Sequence, residues 1–269
     1  MTTSIAGAEM EWAEINGAAL RYAVSGTGPR TFLLIHELAG SLNSWDGLVP
    51  LLPRGLRVVR YDMRGAGQSE KVAGSLDLDV MADDAASLLD HLGIAGPVAV
   101  AGAAVGAAIA TRFATQHPDR CGRLVLVAPA LGVPAERREA ALALCDRIDA
   151  EGLRPVAEAV LPKAFPEALW ASPADKARAI ARWFGADPQG YAAAYRMLVR
   201  ADLGPDLARV RAPVLALAGR LDPFGTPEIV ERLTAPIPDR RFAMLEGGHF
   251  LAVQSPAVLA AALAEFLPG

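Results

Sequence analysis

Apolar and polar residues alternate with a period of two over residues 10–15 and again over 19–24, on either side of Asn16-Gly17. The alternation predicts two half-buried strands joined by a tight hairpin. Successive strand side chains point to opposite faces, and Asn-Gly accepts the left-handed backbone of a two-residue turn. Next comes Thr31-Phe32-Leu33-Leu34-Ile35, an unbroken apolar run of the kind that suits a strand covered on both faces. Residues 41–52 read as a helix, with Ser41 as its N-cap and Pro53 beyond its end. Another strand is predicted over 56–61, leading into the turn Asp62-Met63-Arg64-Gly65-Ala66-Gly67, and a helix over 79–92 that Gly93 stops. A buried strand beginning at Val98, a helix over 108–114 and a strand over 121–127 follow. Repeated β-α-β units of this kind make a mostly parallel sheet wrapped by helices.

From 134 to 210 the pattern changes. Helical periods dominate, broken by Pro155, Pro162, Pro166, Pro173 and Pro188, before strands return at 213–218 and 240–245 and a helix closes the chain over 256–266. An all-helical insertion between two strands of an α/β sheet reads as a lid over a site. The organisation expected is therefore a core over 1–133, a lid over 134–210 and the rest of the core over 211–269.

With 269 residues, of which 52% are hydrophobic, the chain can build either two small domains or one large α/β domain. Net charge is −4 and the basic residues are scattered, which argues against nucleic acid and against a membrane surface as partners. The longest apolar run, 98–110, falls short of the ~20 residues of a membrane helix. Met1-Thr2-Thr3-Ser4 does not begin a signal peptide. Cys121 and Cys145 form no spaced framework and read as reduced thiols, and His36, His91, His117 and His249 make no metal-ligand pattern. These features point to a cytoplasmic protein that acts on a small molecule without metal or cofactor; oligomeric state is not legible.

The chemistry sits at strand ends. Gly102-Ala103-Ala104-Val105-Gly106 joins a buried strand to a helix in the layout of the G-x-S-x-G nucleophile elbow, with alanine in the serine's place. Asp222 follows the strand over 213–218 in Gly219-Arg220-Leu221-Asp222-Pro223, and His249 follows the next in Glu246-Gly247-Gly248-His249-Phe250. Ligands of open parallel sheets bind outside the carboxyl ends of the strands, so these loops should converge there.

Taken with Ile35-His36-Glu37-Leu38 and with Asp62-Met63-Arg64-Gly65-Ala66-Gly67-Gln68-Ser69, these motifs resemble the α/β-hydrolase superfamily over essentially the full length. Within it the chain is similar to the branch of 3-oxoadipate enol-lactonases, small esterases and C–C-bond hydrolases. The resemblance implies an α/β-hydrolase fold: a mostly parallel, eight-stranded-type sheet flanked by helices, with the helical lid inserted. It also implies that His249 is a general base oriented by Asp222, and that the backbone N–H groups of Leu38 and Val105 form an oxyanion hole. Three residues depart from the pattern. Ala104 removes the covalent route, Glu37 stands where glycine is usual, and Ala107 replaces a second glycine. Glu37 is a candidate acid/base; the alternatives are that it turns to solvent or pairs with an arginine such as Arg64.

The function expected is hydrolysis of a small carbonyl compound (ester, lactone, amide or activated ketone), with the His249–Asp222 dyad activating water directly. Three alternatives stay open: a serine esterase or lactonase whose serine has been exchanged for alanine; a cofactor-free lyase, isomerase or oxygenase; and a binding protein without catalysis. Arg64 and Trp183 are the candidate substrate contacts, and Arg196 could receive a carboxylate. Phe165, Trp170, Phe184 and Tyr191 fill the lid core, with one or two reaching the ligand. The bland readings make His36 structural, Asp62 and Arg64 the fasteners of their own loop, Ser41 a cap, Asp222 a helix N-cap, and His91 and His117 surface residues.

Overall fold

The computed structural model describes residues 9–267; the reading of Met1-Thr2-Thr3-Ser4 lies outside them. Strands β1 (Glu9–Ile15) and β2 (Ala18–Ser25) pair antiparallel as their alternation predicts. Ile15 pairs with Ala18, and Asn16 (φ 48°) and Gly17 (φ 71°) both take the left-handed conformation that a two-residue hairpin turn demands. Six more strands follow: β3 (Arg30–Ile35), β4 (Leu56–Tyr61), β5 (Val98–Ala103), β6 (Cys121–Val127), β7 (Val214–Gly219) and β8 (Arg240–Leu245). All eight form one sheet in the order β1-β2-β4-β3-β5-β6-β7-β8, parallel from β4 onward.

The uninterrupted apolar run of β3 feeds two cores, because neighbouring side chains leave the sheet on opposite faces. Leu33 and Ile35 pack with Val59, Met81, Leu88, Ile109 and Phe113 on one face. Phe32 and Leu34 pack with Trp45, Val58, Leu259, Leu263 and Phe266 on the other. The flanking helices are α1 (Leu78–His91) and α2 (Val105–Gln116). Asp77 caps α1 by accepting the N–H groups of Asp79 and Val80, and Gly93 (φ 68°) follows its end.

The helix expected over 41–52 is a correction. Two short 3₁₀ segments, Leu42–Trp45 and Val49–Leu51, occupy the stretch. Gly47 and Pro50 oppose a continuous α-helix there, the proline by lacking an N–H to donate. Ser41 does cap the first segment, in a reciprocal capping box with Ser44.

Between β6 and β7 the chain is helical: α3 (Ala135–Glu151), α4 (Arg154–Ala164), α5 (Pro173–Phe184), α6 (Pro188–Arg200) and the single turn α7 (Gly204–Leu207). This insertion has a core of its own, built from Cys145, Ile148, Val156, Phe165 and Trp183. Arg196 brackets α6 to α3 through Asp146 (2.6 Å) and Asp149 (2.7 Å). Beyond β7 come α8 (Pro227–Thr234), α9 (Leu251–Gln254) and α10 (Pro256–Phe266). Among the described residues no helix is long and apolar enough to cross a membrane.

Both thiols are free and buried. Burial pushes Cys121 up to about 12 and Cys145 up to about 11 from the usual 9.0. Above pH ~9 the unfolded chain therefore sheds protons that the folded chain keeps. The stabilisation is complete below that pH and is lost as pH climbs towards the folded values. In urea titrations the wild-type midpoint should fall more steeply between pH 8 and roughly 10.5 than that of a Cys121→Ala, Cys145→Ala double variant. Equal slopes would exclude a thiol contribution.

Candidate active site

Strand β5 turns into α2 at Ala104, whose backbone (φ 47°, ψ −113°) lies in a region that an alanine enters only under strain, at roughly 1–3 kcal/mol. The glycines on either side explain how so sharp a turn closes. A Cβ on Gly102 would stand 2.1 Å from the Gly106 carbonyl oxygen, and one on Gly106 would stand 2.4 Å from that of Ile35. Three backbone hydrogen bonds pin the elbow. Ala104 N–H donates to Val127 O (3.0 Å), and its carbonyl accepts from Ala107 (3.0 Å) and Ala130 (3.1 Å). Val105 then opens α2, where a helix leaves its first N–H groups unpaired and its dipole positive.

The second loop follows β3. His36 is fully buried; its Nε2 accepts the Met63 N–H at 3.0 Å, which places the ring proton on Nδ1, 2.7 Å from Glu37 O. The bland reading of His36 fits this geometry, since both ring nitrogens are committed to the loop. The N–H groups of Leu38 and Val105 have no acceptor among the described residues, and both residues line one cavity.

The third and fourth loops meet because Gly219, at the end of β7, lets the loop after β8 pass close by; a Cβ there would lie 2.3 Å from Gly248 O. Asp222 is 3% exposed. Its Oδ1 accepts from the N–H groups of Phe224 (2.8 Å) and Gly225 (3.1 Å), leaving Oδ2 to receive His249 Nδ1 at 2.8 Å. Thr226, not Asp222, caps α8, so the N-cap reading is corrected. With Nδ1 committed to the carboxylate, Nε2 is the free face of the imidazole. The edges of Phe224 and Phe250, each with its ring centroid 5.2 Å from that of His249, hold the ring in place.

A cavity of about 690 Å³ lies where these loops converge beneath the insertion. Glu37, Leu38, Ala104, Val105 and His249 all line it, and Trp183 and Tyr191 reach it from the helices above. Asp222 stands behind the histidine.

Arg64 is not brought to this cavity. Its guanidinium grips the buried Asp84 through two bonds of 2.6 and 2.7 Å and reaches the carbonyls of Ile15 and Asn16, fastening the hairpin to α1. The candidate substrate contact at Arg64 is thus corrected: a buried carboxylate requires a cation, and this arginine supplies it. Asp62 serves its loop in a related way, accepting from Leu42 N–H (2.7 Å), Gln68 N–H (2.7 Å) and Arg21 (3.3 Å). Arg196 is likewise spent on its two aspartates and lines no part of the cavity. Glu37 neither turns to solvent nor meets Arg64. It is 7% exposed, and Ser44 Oγ donates to its Oε1 at 2.7 Å. Phe165 and Trp170 stack at 5.3 Å inside the insertion, whereas Phe184 is exposed under Arg154. His117 meets Asp83 at 2.8 Å, and His91 lies beside Tyr22.

Sequence reasoning missed Phe224, Phe250, Tyr195 and Arg137, which also line the cavity, and Ser44 behind Glu37. Phe224 and Phe250 flank the aspartate and the histidine in the chain, a signal that was there to be read. Arg137 and Tyr195 sit on helices whose docking no local pattern records.

Residues 30–150 match the family described as alpha/beta hydrolase fold. The chain is 28% identical over 241 residues to 3-oxoadipate enol-lactonase 2 of Acinetobacter baylyi, covering 88% of this chain and 89% of that one. Two solved structures superpose with a TM-score of 0.88: a thermophilic esterase from Thermogutta terrifontis (27% identity, 96% of this chain and 97% of that one), and the enol-lactonase from Burkholderia xenovorans LB400 (26% identity, 95% and 99%). The strand order, the strained turn between β5 and α2, and matches that run nearly end to end agree: this chain has the alpha/beta-hydrolase fold, and its sequence is similar to those of an esterase and enol-lactonases.

Proposed function

We propose that the chain hydrolyses a small carbonyl compound (an ester, lactone, amide or activated ketone) by direct activation of water. The observation that carries this reading is the 2.8 Å contact between His249 Nδ1 and Asp222 Oδ2, made by an aspartate whose other oxygen is already held by two N–H groups. A carboxylate tied down in this way fixes the tautomer and aim of the imidazole and stabilises its protonated form.

In this mechanism the substrate carbonyl oxygen lies against the N–H groups of Leu38 and Val105. A water occupies the space above the Ala104 methyl, where the serine of a G-x-S-x-G elbow would place its oxygen. His249 Nε2 takes a proton from that water as the oxygen attacks the carbonyl carbon, and the two amides receive the negative charge. On collapse the imidazolium returns the proton to the leaving group. A positioned base contributes ~10²–10⁴-fold and each oxyanion donor ~3 kcal/mol, which leaves useful catalysis without a covalent intermediate. Esterase and enol-lactonase relatives support the choice of carbonyl substrates.

One observation favours a second reading, in which the dyad abstracts a proton from carbon in a lyase or isomerase reaction: Glu37 offers a second acid/base group on the same cavity wall. Turnover of aryl esters and lactones in H₂¹⁸O separates the two. Label in the acid product is expected for hydrolysis, and turnover that leaves products unlabelled would overturn it. Ala104→Ser should add a burst of p-nitrophenol from p-nitrophenyl acetate. If only the serine form turned over, the water-activating mechanism would fail and the chain would be a serine hydrolase lacking its nucleophile.

A further inference from the structure

In the hydrolytic cycle above Glu37 has no step, yet an acidic side chain withdrawn from water is costly unless a partner answers it. It is 7% exposed, and no ion pair reaches it among the described residues. Ser44 Oγ fixes Oε1 and is itself held by the Ser41 N–H at 3.3 Å; Oε2 has no hydrogen-bond partner among the described residues. The carboxyl group stands where two cavities meet, the larger one of about 690 Å³ and a side cavity of about 340 Å³, which share Glu37, Trp183 and Phe250 as walls. Further rings back those walls: Tyr191 packs 5.9 Å from Trp183, and Phe165 lies 5.0 Å from Phe250. An acidic group framed by aromatic rings favours a cation, because the ring faces and the carboxylate attract it together. Arg137 on the larger cavity and Arg182 on the smaller are exposed, so water already answers their charge, whereas Glu37 has one neutral hydroxyl, Ser44 Oγ, as its side-chain partner among the described residues.

We propose that Glu37 is the recognition point for a positively charged amino group on the substrate, close to its reacting carbonyl. The substrate class is then an ester, lactone or amide whose acyl part carries an ammonium. Glu37 immediately precedes Leu38, so an ammonium on Oε2 and a carbonyl oxygen on the Leu38 N–H belong to one small molecule. Only the carbonyl half of this assignment rests on the proposed function; the amine site is testable without turnover.

Isothermal titration of the full chain at pH 7 with benzylammonium, benzyl alcohol and benzoate reads the site directly. Benzylammonium is expected to bind at least about tenfold more tightly than the isosteric alcohol, and benzoate most weakly. In Glu37→Gln the preference for the cation should vanish while the affinity for the alcohol stays the same, showing that the cavity is intact. Alcohol binding as tightly as the cation, benzoate binding best, or a cation preference that survives Glu37→Gln would each overturn the proposal. The wild-type series decides by itself should Glu37→Gln fail to fold. Absence of an amine preference leaves the hydrolase reading standing, and absence of turnover leaves an observed amine preference standing.

Discussion

Replacing His249 with alanine is expected to lower kcat/KM for carbonyl hydrolysis by about 10²–10⁴-fold, or roughly 3–5 kcal/mol of transition-state stabilisation. In the proposed mechanism the imidazole is the sole acceptor for the proton of the attacking water, and the alanine leaves nothing at that position to take it. Folding stability should fall by about 1–3 kcal/mol without abolishing the fold. Asp222 keeps the N–H groups of Phe224 and Gly225 on Oδ1 when the ring is gone, but Oδ2 loses its imidazole partner. Steady-state kinetics paired with a urea titration checks both halves. A His249→Ala protein that retains wild-type kcat/KM would remove the dyad from the mechanism altogether.

Gly106→Val carries the largest expected effect on folding. A Cβ at this position would stand 2.4 Å from Ile35 O and 2.5 Å from His36 O, both backbone atoms at the end of β3. Neither can rotate aside as a flexible side chain would, so α2 or the end of β3 must move. The expected cost of about 4 kcal/mol or more is comparable to the net stability of many domains, ~5–15 kcal/mol. The variant should express largely insoluble or unfold at a much lower urea concentration. Gly96→Ala provides the contrast: a Cβ there meets nothing within 4 Å, so its midpoint should stay within about ±0.5 kcal/mol of wild type. A Gly106→Val midpoint equal to that of Gly96→Ala would show that α2 does not need its close approach to β3.

The parts of this molecule that were legible in its sequence are those governed by short-range rules. Alternation about Asn16-Gly17 yields the hairpin because the period of a strand and the conformation of its turn are both local. The elbow is visible for a similar reason, since glycine at 102 and at 106 marks where one backbone touches another. The stretch 41–52 misled because Ser41 and Pro53 mark its two ends as a helix would be marked, while Gly47 and Pro50 inside it oppose one. Arg64 misled for a different reason. Its position after a strand end suggested a substrate contact, but its partner Asp84 lies on α1, and pairings over such a separation leave no mark in the local pattern. The grip of Ser44 on Glu37 was hidden likewise, since it depends on how the chain after β3 coils back on itself. Cavity walls contributed by the insertion depend on how whole helices dock.

The conformation of Ala104 has a consequence for how this lineage can change. The β5–α2 turn already holds the shape that a nucleophile would use, so gaining the hydroxyl asks nothing of the backbone. Alanine and serine codons of the GCN and UCN sets differ by one base. Under the proposed function, a single substitution would therefore move the chain between water-based and acyl-enzyme chemistry, and natural variants on either side of that step should share one scaffold.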